Sequence, residues 1–332
     1  MNPRYIGRRL ATFLLTIFVA STLNFAITRL TPQDPIAALL GRMASRGRTV
    51  EDGGEIVARY RERLGLDAPL AQQYVSYLRD LLQGDLGYSL AFFPIKAEAV
   101  ILRALPWTLG LLSLATLLAF AIGNLLGALA VWPRVPAGFR WLVYLSMPFS
   151  AIPYYLLALI LVYVFALNWS LFPLGGSFTV GSDRGLNLET LADLLHHAAL
   201  PVLSVVLAVV GFWALSMRGI MATVLGDDYL IYARARGLRS RRIFSHYAMR
   251  NAMLPQVTAL AIDFGRLISG QVLVEIIFNY PGVGWVLYNA LRAADFFVIQ
   301  GVTLFMVFTV AVATLLLDLV YPLLDPRIRY QS

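Results

Sequence analysis

Residues 104–131 read ALPWTLGLLSLATLLAFAIGNLLGALAV, with no Asp, Glu, Lys, Arg or His among them. A helix crossing the roughly 30 Å hydrocarbon core of a bilayer needs about 20 mostly apolar residues, because each adds about 1.5 Å. It must also satisfy its own backbone amides, since lipid offers them no partner. This stretch meets both conditions. The whole chain agrees with it: of 332 residues, 59% are hydrophobic and only 14% charged, and the mean hydropathy is +0.70. Soluble domains carry about 25% charged residues, so a pair of soluble domains is excluded.

Five further segments have the length and composition of a span: residues 10–29, 141–166, 199–217, 253–278 and 299–322. The expected fold class is therefore all-α, a polytopic membrane protein with six transmembrane helices. The first span follows Arg4, Arg8 and Arg9, as the core of a signal peptide would. Its apolar run is too long for that, and no small-residue cleavage site ends it, so it is expected to remain as a signal anchor. The fifth span is the marginal one, because it contains Asp263, Arg266 and Glu275. Each central charge costs about 2.5 to 3.5 kcal/mol, whereas each Leu, Ile, Val or Phe contributes only about 0.3 to 0.6 kcal/mol. Asp263 and Arg266 lie three residues apart on one helix face and can pair, which would let the segment insert.

Short cytoplasmic loops carry the Lys/Arg excess. With the N-terminus inside, the internal segments hold Arg4, Arg8 and Arg9, then Arg134 and Arg140, then seven arginines from Arg218 to Arg250, then Arg327 and Arg329. The external loops after the second span hold only Arg184 and Arg292. Both termini are therefore expected in the cytoplasm. The chain divides into residues 1–30, the N-terminus and first span; residues 31–103, an extracytoplasmic segment; and residues 104–332, a membrane core with a cytoplasmic loop at 218–252.

The extracytoplasmic segment opens with Thr31-Pro32-Gln33-Asp34-Pro35 and a basic, glycine-containing loop to about Gly54. Residues 55–82 then have helical spacing, broken at 65–69, with Tyr74, Leu78, Leu81 and Leu82 recurring at three and four residues. Gly84-Asp85-Leu86-Gly87 makes a tight turn. The segment is either a cap on the membrane core or a docking surface for another protein.

In the cytoplasmic loop, Asp227 can cap a short helix through about Arg236, which Gly237 can end in the left-handed conformation. Ser240 can cap a second helix running to Leu254, before Pro255. On that helix Ile243, Phe244, Tyr247, Ala248 and Asn251 form one stripe, and Arg241, Arg242, Ser245, His246 and Arg250 fall mostly elsewhere. A helix lying on anionic lipid and a socket for a protein partner both have this pattern.

Several chemistries are excluded. There is no cysteine, so no disulfide or thiolate site exists. Lys96 is the only lysine and sits in Pro94-Ile95-Lys96-Ala97, so the chain has no P-loop, whose lysine must reach phosphate. No G-x-S-x-G elbow or H-E-x-x-H helix occurs, and no dinucleotide fingerprint follows a strand. His196-His197 is either interfacial polarity or a proton or metal site. Asp318, near the end of the sixth span, is expected to be solvated. No catalytic residue, cofactor, metal or nucleic-acid partner is expected, and energy for any active transport must come from a gradient or another polypeptide.

Gly226-Asp227-Asp228-Tyr229, Ala233-Arg234-Ala235-Arg236-Gly237-Leu238 and Arg250-Asn251-Ala252-Met253-Leu254-Pro255 together resemble the EAA loop of ABC importer permeases, in the version of the dipeptide/oligopeptide/nickel group. The resemblance extends through Arg8-Arg9, Pro32-Gln33-Asp34-Pro35, Leu64-Gly65-Leu66-Asp67, Gly84-Asp85-Leu86-Gly87-Tyr88-Ser89 and Ala199-Leu200-Pro201. It continues in Glu275-Ile276-Ile277-Phe278, Pro281-Gly282-Val283-Gly284 and Asp325-Pro326-Arg327-Ile328-Arg329. It covers nearly the whole chain and points to the first of the two permeases such systems usually contain.

The resemblance implies a type I importer permease fold and a non-catalytic subunit in the bacterial inner membrane. The implied partners are a second homologous permease, two P-loop ATPase subunits or domains that bind ATP and Mg²⁺, and an extracytoplasmic solute-binding protein docking over residues 31–103. It also implies a coupling helix in which Asp228, Tyr229, Ala233, Arg234, Ala235 and Arg236 face the ATPase. Gly237 would make the turn, and Asn251, Leu254 and Pro255 would lock the next helix onto the membrane core. Arg236 stands where the family often has lysine. Asp263 and Arg266 depart from the family's uncharged residues, either lining the pathway or tying helices together. The stretch 41–54 is longer than in many relatives. Peptides are the implied cargo. The competing class is a gradient-driven carrier or channel that uses the intramembrane charges.

Overall fold

A computed structural model describes residues 3–30, 68–92, 94–182, 185, 187–267 and 272–324 of the protein. They are helical, in eleven segments numbered here in chain order. The expected loop at 31–54, the first part of the helical pattern at 55–67 and the tail at 325–329 lie outside the described residues. The chain forms two compact units. One takes the described residues up to Thr108 and from Gly282 onward, and the other takes Leu109–Leu267 and the described residues from Val272 to Pro281.

In the first unit, α1 (Pro3–Leu30) runs antiparallel to α11 (Phe296–Leu324). Lipid supplies no hydrogen-bond partner, so polar side chains are satisfied inside the pair. The hydroxyls of Thr12, Thr16 and Thr22 donate to the carbonyls four residues earlier. The Asn24 amide donates to the Gln300 carbonyl of α11 at 2.9 Å. Near the other end, Arg9 pairs with Asp318 at 3.0 Å. Asp318, expected to be solvated, is partly exposed and also ion-paired, because the antiparallel arrangement brings an opposite charge to the same depth.

The amphipathic helix α2 (Leu70–Leu82) leans on α1, with the rings of Tyr74 and Tyr77 each tilted against Phe25 at 5.3 Å. Leu82, expected on its apolar face, is exposed. The turn after it is built as expected: Gly84 and Gly87 have φ of +73° and +84°, and the Asp85 carboxylate accepts the Gly87 N–H at 3.0 Å. Helix α10 (Val283–Arg292) was not anticipated, although Val283, Val286 and Ala290 have the spacing of one face. It buries them against Ala97, Ile101 and Ala104 at the start of α3 (Ala97–Val131).

In the second unit, the later part of α3 packs on α6 (Leu188–Val224) through two glycines one turn apart. A Cβ on Gly123 would lie 2.5 Å from Trp213 Cβ, and one on Gly127 would lie 2.2 Å from the Ala214 carbonyl oxygen. Small residues at this spacing let helix backbones approach closely in membranes, where packing rather than water drives association.

The expected single span at 141–166 is two helices. Helix α4 (Ala137–Ala151) and α5 (residues 154–168) meet at 100°. Pro153 is the cause. Its ring disfavours helical geometry in the preceding residue, and Ile152 is extended at φ −89°, ψ 128°. Four described helices are long and apolar enough to cross a membrane, and the bent pair makes a possible fifth span.

Helix α7 (Asp228–Ala235) is followed by α8 (residues 240–267), which is about 42 Å long at about 1.5 Å per residue. Pro255 was expected to end this helix. It lies inside instead, at the loss of one backbone bond to the Asn251 carbonyl. The expected fifth span thus begins within α8 and ends in α9 (Val272–Ile277), while residues 268–271 between them lie outside the described residues. Asp263 is half-buried on α8. The side chain of Arg266 lies outside the described residues, and the expected pairing with it.

Candidate functional site

The loop between α6 and α8 is anchored from within. Leu230 is fully buried and Ala233 is 4% exposed. Both join a cluster with Ala128 and Trp132 of α3 and its end, Met217, Met221 and Val224 of α6, and Ile243, Ala248 and Ala252 of α8. Tyr229, Leu238 and Phe244 pack around it, and the Phe244 ring meets Trp132 edge-on at 5.0 Å. Five residues separate Ile243 from Ala248, which in an α-helix would point them well apart. A π-turn over Ile243–Ala248 brings both to the buried face.

Both ends of α7 are defined. Asp227 occupies the N-cap position in extended geometry, but its side chain makes no capping hydrogen bond. At the other end Gly237 has φ +71°. Its N–H donates to the Arg234 carbonyl at 2.9 Å, and the Leu238 N–H donates to the Ala233 carbonyl at 3.3 Å. This is the paired closure that a left-handed glycine makes possible. A Cβ at Gly237 would meet nothing within 4 Å, so only the backbone conformation selects glycine. Ser240 was expected as the cap of α8. It is the first helical residue, preceded by Arg239, and its hydroxyl accepts from the Arg134 guanidinium.

The outward face differs from the expected one. Ala233 turns into the chain's own core, and Tyr229 packs against that core at the side of the helix, half-buried. Asp228, Ile231, Tyr232 and Ala235 share the opposite face, with Ile231 55% and Tyr232 71% exposed. Arg234, Arg236 and Arg239 of the same loop, and Arg241, Arg242 and Arg250 of α8, are also exposed. Ile231 and Tyr232 were missed, although their position three and four residues after Asp228 was a usable signal. The fixation of α8 is corrected as well. Asn251, Leu254 and Pro255 are exposed, whereas Ala252 and Gln256 are buried and the Gln256 amide donates to the Ser216 hydroxyl of α6 at 2.8 Å. The result is a helix closed by Gly237, with a buried apolar face and an exposed face of two bulky apolar side chains, in a loop rich in exposed arginine. Such a face fits a groove on another protein.

A second polar cluster lies at the opposite end of α6. Asp193 accepts from the Thr179 N–H at 2.8 Å and from its hydroxyl at 2.6 Å. His197 lies 3.5 Å from the same carboxylate, and His196 meets the Leu171 carbonyl at 3.0 Å. His196 is exposed and His197 is buried, with its Nδ1 lacking a hydrogen-bond partner.

Residues 123–330 match the family described as binding-protein-dependent transport system inner membrane component, and residues 2–93 match its N-terminal companion. A probable peptide ABC transporter permease of Sinorhizobium fredii is 32% identical over 98% of this chain and 99% of its own length. A di/tripeptide transport system permease of Pseudomonas aeruginosa is 33% identical, with the same coverage. A glutathione transport system permease of Escherichia coli is 31% identical, also over 98% and 99%. The chain spans its relatives almost end to end, and it belongs to the family of inner membrane components of binding-protein-dependent transport systems.

Proposed function

We propose that this chain is the permease subunit of an ATP-binding cassette importer that moves peptides across the cytoplasmic membrane. It works with a second, similar permease, two ATPase subunits and an extracytoplasmic solute-binding protein. The chain itself is non-catalytic; ATP and Mg²⁺ belong to the ATPase partners. Peptide cargo is supported by the peptide and di/tripeptide permeases among its relatives. Glutathione, the cargo named for another relative, is itself a small peptide.

The observation that carries the reading is α7, buried through Leu230 and Ala233 and exposed through Ile231 and Tyr232. ATP-driven closure of the ATPase pair pushes on this helix. Because α7 shares one core with α3, α6 and α8, the push is passed to membrane helices, which tilt between inward- and outward-facing states. Asp228, Arg234, Ala235 and Arg236 contribute to the docking face, Gly237 shapes its end, and residues 68–103 belong to the side that receives the binding protein. Antiparallel packing of α1 and α11 supports both termini on one side of the membrane, and the arginine distribution supports the cytoplasm as that side. A gradient-driven carrier would leave the exposed face of α7 without a use.

Reconstitution tests the reading. Peptide uptake into vesicles holding the full complex should require ATP and an intact ATPase. Uptake persisting when the ATPase subunits are left out would contradict it.

A further inference from the structure

Between α1 and α11 of the first unit runs a groove of about 360 Å³, walled by Thr12, Phe13 and Thr16 on one side and Val310, Ala311 and Thr314 on the other. The hydroxyls of Thr12, Thr16 and Thr314 donate to carbonyls of their own helices, so the walls present carbon. Along α11 the lining extends from Met306 to Asp318, a rise of about 18 Å at about 1.5 Å per residue. One leaflet of a bilayer core is about 15 Å deep, half of about 30 Å. The groove is therefore as long as one leaflet is thick, and neighbouring Leu14, Leu15 and Phe18 of α1 are exposed as lipid-facing side chains are.

Its end is charged. Arg9 Nη1 pairs with Asp318, and the Tyr5 hydroxyl donates to the Asp318 carbonyl at 3.0 Å. Arg9 Nε is buried there without a hydrogen-bond partner. Asp318 balances one arginine, Arg9, while Arg8 is exposed at the same helix end. This places a surplus of cation at headgroup depth, at the end of an acyl-length apolar channel.

We propose that the groove binds an anionic phospholipid. One acyl chain lies between α1 and α11, and the phosphate sits at the exposed Arg8, beside the Arg9–Asp318 pair. Charge complementarity selects this occupant over a zwitterionic lipid, since each basic residue near an anionic headgroup contributes about fivefold in affinity. It also selects lipid over an apolar helix of another subunit, which would fill the groove and leave the arginine end unanswered.

The test is native mass spectrometry of the purified transporter complex, delipidated and titrated with palmitoyl-oleoyl phosphatidylglycerol or phosphatidylcholine. Phosphatidylglycerol should be retained at least about tenfold more tightly. Ala311→Phe, which fills the groove without touching charge, should abolish that retention. Arg8→Gln, at an exposed position that leaves packing intact, should weaken phosphatidylglycerol about fivefold and leave phosphatidylcholine unchanged. Equal affinity for the two lipids, or an Arg8→Gln variant that keeps the full preference, would overturn the proposal. So would a crosslink from Ala311→Cys to a protein helix of the complex in place of lipid.

Discussion

The described residues of the loop between α2 and α3 in the first unit and the loop at 225–239 of the second are held by opposite physics. The first is fixed by polar groups. Asp295, fully buried, accepts from the Ser89 hydroxyl at 2.6 Å and the Ala91 N–H at 2.9 Å, and caps α11 through the Val298 N–H at 3.2 Å. Lys96 adds an ion pair with Asp85 at 2.7 Å. The second is fixed by apolar burial of Leu230 and Ala233 and by one left-handed glycine. Hydrogen bonds have direction, so the first loop has few ways to shift without losing a partner. An apolar anchor leaves the outer face of α7 free of internal obligations, which suits a helix that must hold a foreign surface and pass on its movement.

The largest effect is expected beneath the second loop. Gly127→Val would drive a side chain into the Ala214 carbonyl, and because backbone cannot turn aside, the penalty should reach or exceed about 3 kcal/mol. Yield of folded protein by size-exclusion chromatography checks this. Leu230→Ala should cost about 2 to 5 kcal/mol, the usual range for a buried leucine. Tyr232→Ala on the opposite face should change stability by less than about 0.5 kcal/mol and yet abolish ATP-driven uptake. Thermal unfolding in detergent together with vesicle transport would separate the two faces; equal destabilisation would erase the contrast.

In the polar loop, Asp295→Asn, which keeps one acceptor oxygen in place, should cost about 1 to 3 kcal/mol. Protease cutting near residues 89–92 should report it first. The smallest effect belongs to Lys96→Met. The Lys96 ammonium holds the Asp85 carboxyl below its usual range, with the Gly87 N–H helping, and the Lys96 amine is raised in turn by Asp85. A lowered carboxyl stabilises above its unfolded value near about 4, and that gain is lost as pH falls through the folded value. A raised amine stabilises below its unfolded value near about 10, and that gain is lost as pH rises through the folded value. The difference in melting temperature between the native chain and Lys96→Met should therefore be small, flat between these limits, and vanish in acid. A difference that grew in acid would mean the pair is not what Lys96 contributes.

The membrane class and most spans were legible because apolar length is a local property, and the α7 loop was legible because helix ends and glycines announce themselves within a few residues. What escaped depends on distance. Ser89 and Asp295 are 206 positions apart, so no window joins them. Gly123 and Gly127 acquire meaning only from the Trp213 and Ala214 they face. The bend at Ile152-Pro153 was readable from proline alone, yet hydropathy averaged across it. The inner and outer faces of α7 were confused because the family likeness supplied a list of positions, whereas burial sorts them by direction.

The central claim is that force enters through the exposed face of α7, and the most direct test is cysteine crosslinking in the assembled transporter. With Tyr232→Cys, a short thiol crosslinker should join this chain to the ATPase subunit in high yield, and ATP should change that yield. With Asn251→Cys, exposed on α8 but off the α7 face, the yield should be markedly lower. Failure of Tyr232→Cys to capture the ATPase while other exposed positions do so would contradict the account.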